Sequence, residues 1–211
     1  MTKNTWSKRT TFPLMINQFD LLIDSYLDNK IGIDANFLTD VLSQGLQQNI
    51  RQLQSDNLMV AAGIGNSDVR DAQQKMRSDT IYWMDKSHDN IFEQEFLHQV
   101  DDFVDRLNNT CYSGINSYEF HYAVYEEGSF YKRHKDQFKT DSDRKFSLIN
   151  YLNNDWLETD GGQLLVYQNE ITQKILPQSQ KAVFFKSDEM EHEVSLSHRT
   201  RMSITGWLKR I

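Results

Sequence analysis

The spacing of apolar residues changes character near residue 110. Before that point it follows a helical repeat. Phe19, Leu22, Ile23 and Tyr26 fall on one face of a short helix. A second helix is predicted through Phe37, Val41, Leu42 and Leu46 towards Ile50 and Leu53, with Asp34 as its cap. A third carries Ile91, Phe92, Phe96, Val100, Phe103, Val104 and Leu107 on one face and acids on the other, with Asn108-Asn109 as its stop. Between the second and third lies a polar stretch, 63–79, followed by a strand-like segment, 80–84. Gly63-Ile64-Gly65 lacks the third glycine and the preceding strand of a nucleotide loop, so this stretch reads as a mobile loop.

From Tyr118 onward the pattern becomes one of short strands, at 118–125, 146–151, 163–167, 171–175, 182–185, 193–196 and 202–208. Turn signals separate them: Glu127-Gly128, Asn153-Asn154-Asp155, Gly161-Gly162 and Pro177. Short strands following several helices predict an α+β chain with a β-barrel or sandwich core buttressed by helices. A length of 211 residues suits one domain, helical over about 1–110 and barrel-forming over about 118–209.

Composition narrows the function classes. Only 38% of residues are hydrophobic, but twelve Phe, nine Tyr and four Trp suffice for a core, which excludes a disordered chain. With 23 basic against 30 acidic residues the net charge is -7, which argues against nucleic acid as a partner. A single cysteine, Cys111, excludes an internal disulfide and a Cys-rich zinc site, and suits a reducing compartment. No run approaches 18 apolar residues, and the apolar stretch 12–16 is too short for a signal-peptide core. The expectation is a cytoplasmic protein with no membrane partner.

Three residues of the β half could hold a metal. His134 and Asp136 are two apart, so in an extended segment their side chains share a face. His192 follows 56 residues later, at the start of a later strand. Two imidazoles and one carboxylate form the facial set that binds non-haem Fe(II) and leaves positions open for other ligands. Alone, His134 and Asp136 read as surface residues, and His192 as a buried or capping histidine, more often than as ligands. Arg201 changes the weighing. It opens a strand on which period two puts Arg201, Ser203, Thr205 and Trp207 on one face and Met202, Ile204 and Leu208 on the other. An arginine on a barrel-lining face is costly unless an anion meets it, either an internal carboxylate or a bound dicarboxylate.

Order and spacing together resemble a family over about 90 residues. The text is Tyr125-x-x-Gly128-x-x-Tyr131-x-x-His134-x-Asp136, then Arg144, then Ile149-Asn150-Tyr151-Leu152-Asn153-x-Asp155-Trp156. It continues with Gly161-Gly162-x-Leu164, Phe184-Phe185-x-Ser187-Asp188, His192-Glu193-Val194 and Arg201-x-x-Ile204-Thr205-x-Trp207. This resembles the 2-oxoglutarate/Fe(II) dioxygenases of the prolyl 4-hydroxylase superfamily. The likeness is to the prolyl-hydroxylase-domain group, which includes the hypoxia-inducible-factor prolyl hydroxylases and bacterial relatives. The segment from Met76 to Trp83 extends it more loosely to roughly 150 residues.

The resemblance implies a double-stranded β-helix (jelly-roll, cupin-like) with supporting N-terminal helices. It implies Fe(II) on His134, Asp136 and His192, and 2-oxoglutarate with its distal carboxylate on Arg201, helped by the Tyr151 hydroxyl. Leu164, with Val166, would form the apolar wall. Tyr125 matches a pocket tyrosine, with Asp79 as its hydrogen-bond partner, and Trp207 a tryptophan that closes the pocket. Arg144 and Arg77 match positions near the substrate. The implied reaction is hydroxylation of a proline in a protein substrate, consuming O2 and releasing succinate and CO2, with ascorbate as an accessory reductant. For bacterial relatives the partner would present an exposed proline loop on a translation factor or ribosomal protein. The segments 63–79 and 137–144 are the expected lids, and they depart from the animal enzymes in residues, 137–143 lacking their Pro and Gly. Alternatives are the same chemistry on a free amino acid, small molecule or other side chain, and a cupin-like metal-binding protein without 2-oxoglutarate turnover. Asp136 disfavours a halogenase, which needs a small residue there, and the full triad with Arg201 disfavours a non-catalytic module.

Overall fold

The computed structural model describes residues 17–63, 76–137 and 142–211. Among the described residues, three α-helices follow from the apolar stripes, two of them with side-chain caps at their starts: α1 (Asp20–Asn29), α2 (Asp40–Ser55) and α3 (Ile91–Cys111). At the start of α2 the Thr39 hydroxyl accepts from the Leu42 amide at 3.2 Å. At the start of α3 the Asn90 side-chain oxygen accepts from the amides of Phe92 and Glu93, both at 3.1 Å. Each such cap satisfies donors that a helix start leaves free.

Two helix ends differ from the sequence expectation. Asp34 does not cap α2. It ends a short strand, β1 (Ile31–Asp34), and its carboxylate accepts from the Asn36 amide at 2.9 Å, which turns the chain. The helix therefore starts at Asp40, Phe37 precedes it, and Val41 faces solvent. Asn108-Asn109 does not stop α3. The Asn108 side chain instead donates to the Ile115 carbonyl at 2.7 Å and accepts from the Ile115 amide at 2.8 Å, while the helix continues to Cys111.

The remaining strands are β2 (Val60–Ala61), β3 (Thr80–Trp83), β4 (Ser117–Tyr125), β5 (Tyr131–His134), β6 (Arg144–Tyr151), β7 (Leu164–Gln168), β8 (Ile171–Ile175), β9 (Ala182–Lys186), β10 (Glu191–Val194) and β11 (Arg201–Lys209). They form a seven-stranded sheet, β1-β9-β6-β11-β4-β3-β2, and a four-stranded sheet, β5-β10-β7-β8. The pairings within both are antiparallel. This is a double-stranded β-helix with helices on the outer face of its larger sheet. β1 and β2 carry too few residues for a strand pattern and sit at the two edges of that sheet.

The larger sheet has two apolar faces because alternate residues point in opposite directions. On one face Met202, Ile204, Leu208, Phe120 and Leu148 pack with the buried stripes of the helices. On the other, Tyr125, Ile149, Tyr151 and Phe185 pack with Leu164, Val166 and Val194 of the smaller sheet. The site is built at one end of this second, inter-sheet core.

Phe184 is fully buried under the helices, with ring centroids of Tyr26, Phe103 and Phe146 at 5.2, 5.3 and 4.9 Å. Truncation there leaves a cavity that three rings from separate elements cannot jointly fill. Phe184→Ala is expected to cost roughly 3–5 kcal/mol in a urea unfolding titration. A cost below about 1 kcal/mol would show that the helices do not depend on this face.

Candidate active site

His134 is the last residue of β5, and His192 faces it directly across the ladder from β10. Their ring centroids lie 4.3 Å apart. Asp136 is not in the strand: the chain bends after His134, and this bend returns the carboxylate to the two imidazoles. Asp136 Oδ1 lies 3.4 Å from His134 Nε2, and Oδ2 lies 3.6 Å from His192 Nε2. One potential ligand atom from each residue falls within 4.8 Å of the others.

Neighbouring groups fix the orientation of all three. His134 Nδ1 donates to the Lys132 carbonyl at 2.7 Å, and His192 Nδ1 to the Met190 carbonyl at 3.2 Å. A carbonyl can only accept, so both Nδ1 atoms carry hydrogen and both Nε2 lone pairs face inward. The Ser147 hydroxyl donates to Asp136 Oδ2 at 2.6 Å. Tyr131 lies flat on His134, with centroids 3.6 Å apart, and the Arg77 guanidinium covers its other side at 4.3 Å. Burial pushes the His192 imidazole down to about 4, against the raising influence of Asp136. Burial alone would raise the Asp136 carboxyl. His192, His134 and Ser147 outweigh it and hold the group below the usual carboxylate range. The donor set is thus a carboxylate and two imidazoles, a combination that suits Fe(II).

Arg201 lies further along the same cavity. It is 1% exposed. Its Nε donates to the Gly162 carbonyl at 2.9 Å and its Nη1 to the Ser203 hydroxyl at 3.2 Å. No carboxylate pairs with it among the described residues, so none of their Asp or Glu side chains is the internal partner. The guanidinium carbon sits 4.8 Å from the Tyr125 ring centre and 5.1 Å from that of Tyr151. The Tyr151 hydroxyl is enclosed beside the Arg201 guanidinium and, among the described residues, has no hydrogen bond of good geometry. Gly162 has φ 62°, and a Cβ there would lie 3.0 Å from Arg201 Cδ. Only glycine lets this backbone come so close to the guanidinium. Leu164 and Ile149 line the cavity between Arg201 and the His–Asp–His set.

Trp207 also lines this cavity, with the Arg144 guanidinium 3.5 Å above its ring. Arg144 is held by Glu119 at 2.7 Å and donates to the Asp136 carbonyl at 3.3 Å. Arg77 pairs with Asp79 at 2.5 Å and faces the cavity from beside Tyr131. Asp79 therefore does not serve as the hydrogen-bond partner of Tyr125. A guanidinium two residues away binds a buried carboxylate more strongly than a phenol does. Both expected lids fall largely outside the described residues, at 64–75 and 138–141. His121 lines the cavity and was missed in the sequence. Counting back in twos from Tyr125 along β4 passes through Ala123 to His121, so period two could have found it.

Residues 120–209 match the family model described as the 2OG-Fe(II) oxygenase superfamily. The barrel is a 2OG-Fe(II) oxygenase domain. The protein is accordingly a 2-oxoglutarate-dependent dioxygenase whose chemistry uses Fe(II), 2-oxoglutarate and O2. A prolyl-4-hydroxylase from Pseudomonas putida superposes with a TM-score of 0.81 at 29% identity, covering 90% of this chain and 97% of that one. A prolyl hydroxylase from Trichoplax adhaerens, solved with a peptide fragment of the hypoxia inducible factor oxygen degradation domain, gives 0.80 at 26% identity, covering 90% and 88%. A prolyl 4-hydroxylase from Phytophthora capsici, at 19% identity, 0.70, and coverage of 89% and 61%, shares the fold.

The buried imidazoles of this oxygenase set a pH dependence. Burial lowers His192 to about 4 and, together with Arg77, lowers His121 to about 3, from 6.5. Between these values and 6.5 the unfolded chain binds more protons than the folded one, so stability falls as pH falls. In metal-stripped protein the urea midpoint is expected to be lower at pH 5 than at pH 7.5. Equal midpoints at the two values would mean that the imidazoles are not held neutral.

Proposed function

We propose that this oxygenase hydroxylates a prolyl residue presented by a protein partner, with His134, Asp136 and His192 holding Fe(II) and Arg201 holding 2-oxoglutarate. The observation that carries the reading is the fully buried Arg201 guanidinium, which has no counter-charge among the described residues and shares its cavity with an inward-facing His–Asp–His set. A buried cation is tolerable when an anion completes it. A carboxylate matches its fork, and the unpartnered Tyr151 hydroxyl beside it supplies a further donor.

Each residue then has a physical task. His134 and His192 present Nε2, because backbone carbonyls hold Nδ1. Asp136 contributes one oxygen while Ser147 fixes the other. Arg201 and Tyr151 anchor the distal carboxylate of 2-oxoglutarate, and Leu164 and Ile149 keep water from its aliphatic segment. Tyr125 braces Arg201 through its ring face. Once bound at these residues, the metal and cosubstrate would supply the oxidising power for hydroxylation, with one atom of O2 going to the substrate and the other to succinate as CO2 is lost. Trp207, Arg144 and Arg77 frame the approach of the target residue.

The prolyl substrate is supported by likeness to the P. putida and T. adhaerens enzymes, both prolyl hydroxylases and the second holding a peptide. The partner in this reading is a protein with an exposed proline loop, such as a translation factor or ribosomal protein. A net charge of -7 favours basic residues near that loop.

The test is anaerobic. Fe(II) followed by 2-oxoglutarate should give the weak visible charge-transfer band of a chelated 2-oxo acid. His134→Ala should abolish the band. Arg201→Ala should need roughly 100-fold more cosubstrate, the usual penalty for removing one partner of a buried charge-assisted pair. Absence of the band in folded, iron-loaded wild type would remove the assignment of 2-oxoglutarate to Arg201.

A further inference from the structure

Two enclosed nitrogens on the cavity wall have no role in holding metal or cosubstrate. His121 is 2% exposed and Trp207 is 6% exposed, and both line the cavity that contains the His–Asp–His set. Among the described residues, His121 Nδ1 and Trp207 Nε1 have no hydrogen-bond partner. Their rings lie against each other, with centroids 5.4 Å apart. An enclosed, unpaired polar nitrogen costs roughly 1–3 kcal/mol, and two side by side on one wall are not explained by packing.

Strand register places them at the metal end. His121 on β4 is paired with Thr205 on β11, and Thr205 is four residues from Arg201, about 13 Å along the strand. Trp207 is paired with Ser147 on β6, the residue whose hydroxyl binds Asp136. The pair therefore lies beside the metal ligands and away from the end where Arg201 waits for the cosubstrate carboxylate. What it faces is the space left for the molecule being oxidised. Trp83 packs against both, with ring centroids 4.9 Å from His121 and 6.3 Å from Trp207, and is 46% exposed, so one neighbour of this imidazole is a surface side chain.

We infer that His121 is a substrate-positioning residue, which with the Trp207 indole donates hydrogen bonds to peptide carbonyl oxygens flanking the target prolyl residue. An indole N–H can only donate, and an imidazole of the matching tautomer donates from Nδ1, so the complementary chemistry is that of an acceptor oxygen. A proline supplies no backbone N–H, and the acceptors beside it are the carbonyls on either side. The inference rests on the prolyl-hydroxylase reading and adds to it the group that recognises the substrate backbone.

The experiment uses Zn(II)-loaded protein with 2-oxoglutarate bound and a panel of blocked prolyl tetrapeptides. The chain has four tryptophans, so its indole N–H resonances are few, and Trp207→Phe identifies the relevant one. Peptide binding should shift the Trp207 indole resonance. His121→Phe, which keeps a flat ring against Trp83 and Trp207, should weaken peptide binding about fivefold to tenfold, as expected for one lost hydrogen bond. His121→Gln, which keeps a donor, should retain most of the affinity. Cosubstrate affinity, read from the anaerobic band of the iron-loaded protein, should stay within about twofold in both variants. The inference is overturned if the phenylalanine variant binds peptide as wild type does, if peptide binds without moving the indole, or if no peptide of the panel binds. Failure of wild type to bind 2-oxoglutarate would instead overturn the reading beneath it, and the two failures are read in separate titrations.

Discussion

A positive charge shut inside an apolar barrel governs the architecture of this protein. Arg201 is among the largest fully buried side chains, and its neighbours are a backbone carbonyl, a serine hydroxyl and two aromatic faces. These soften the cost of desolvation without neutralising the charge. The Gly161-Gly162 turn is bound to that requirement. Gly162 sits at positive φ so that its carbonyl can accept from Arg201 Nε, and any side chain there would meet Arg201 itself. In the proposed function, the missing negative charge arrives with the cosubstrate.

The other end of the cavity solves a different problem, that of crowding two imidazoles and a carboxylate without disorder. The antiparallel pairing of β5 with β10 places His134 and His192 opposite one another, and backbone carbonyls lock both rings. Asp136 joins them from a bend, held by a serine on the larger sheet. The site therefore spans both sheets, and its geometry depends on the distance between them. That distance is set by the apolar layer of Ile149, Tyr151, Phe185, Leu164 and Val166. The helices act at one remove: they bury the opposite face of the larger sheet and keep it stiff.

Charge pairing at the rim serves both structure and substrate. Arg77 is tied to Asp79 while lying over Tyr131, which in turn lies on His134. Arg144 is tied to Glu119 while lying over Trp207. In both cases a guanidinium is held in place by an acid and presents its flat face to an aromatic ring that lines the cavity. In the proposed function, fixed aromatic walls of this kind would orient a ring-shaped target at little entropic cost.

The sequence by itself determined the fold class and the family. Of the eleven strands among the described residues, eight carry a strand pattern in the sequence, β3 and seven from Tyr118 onward, and turn glycines and asparagines separate the later ones. The spacing of His134, Asp136, His192 and Arg201 marked out the polar residues that the barrel brings into one cavity. Only tertiary structure decided the rest. β1 and β2 are strands because partners in the sheet complete their hydrogen bonds, and a span of two to four residues carries no such signal alone. Asp34 and Asn108 have the residue types of helix ends, but each was drawn into a neighbouring turn, because an Asx side chain bonds whichever backbone group lies nearest. Asp79 went to Arg77 rather than to Tyr125, since a choice between two partners depends on distance, which spacing along the chain does not contain. His121 escaped notice for the same reason. An imidazole in a strand becomes informative once its neighbours are known, and those neighbours come from β3 and β11, 38 residues before it and 86 after.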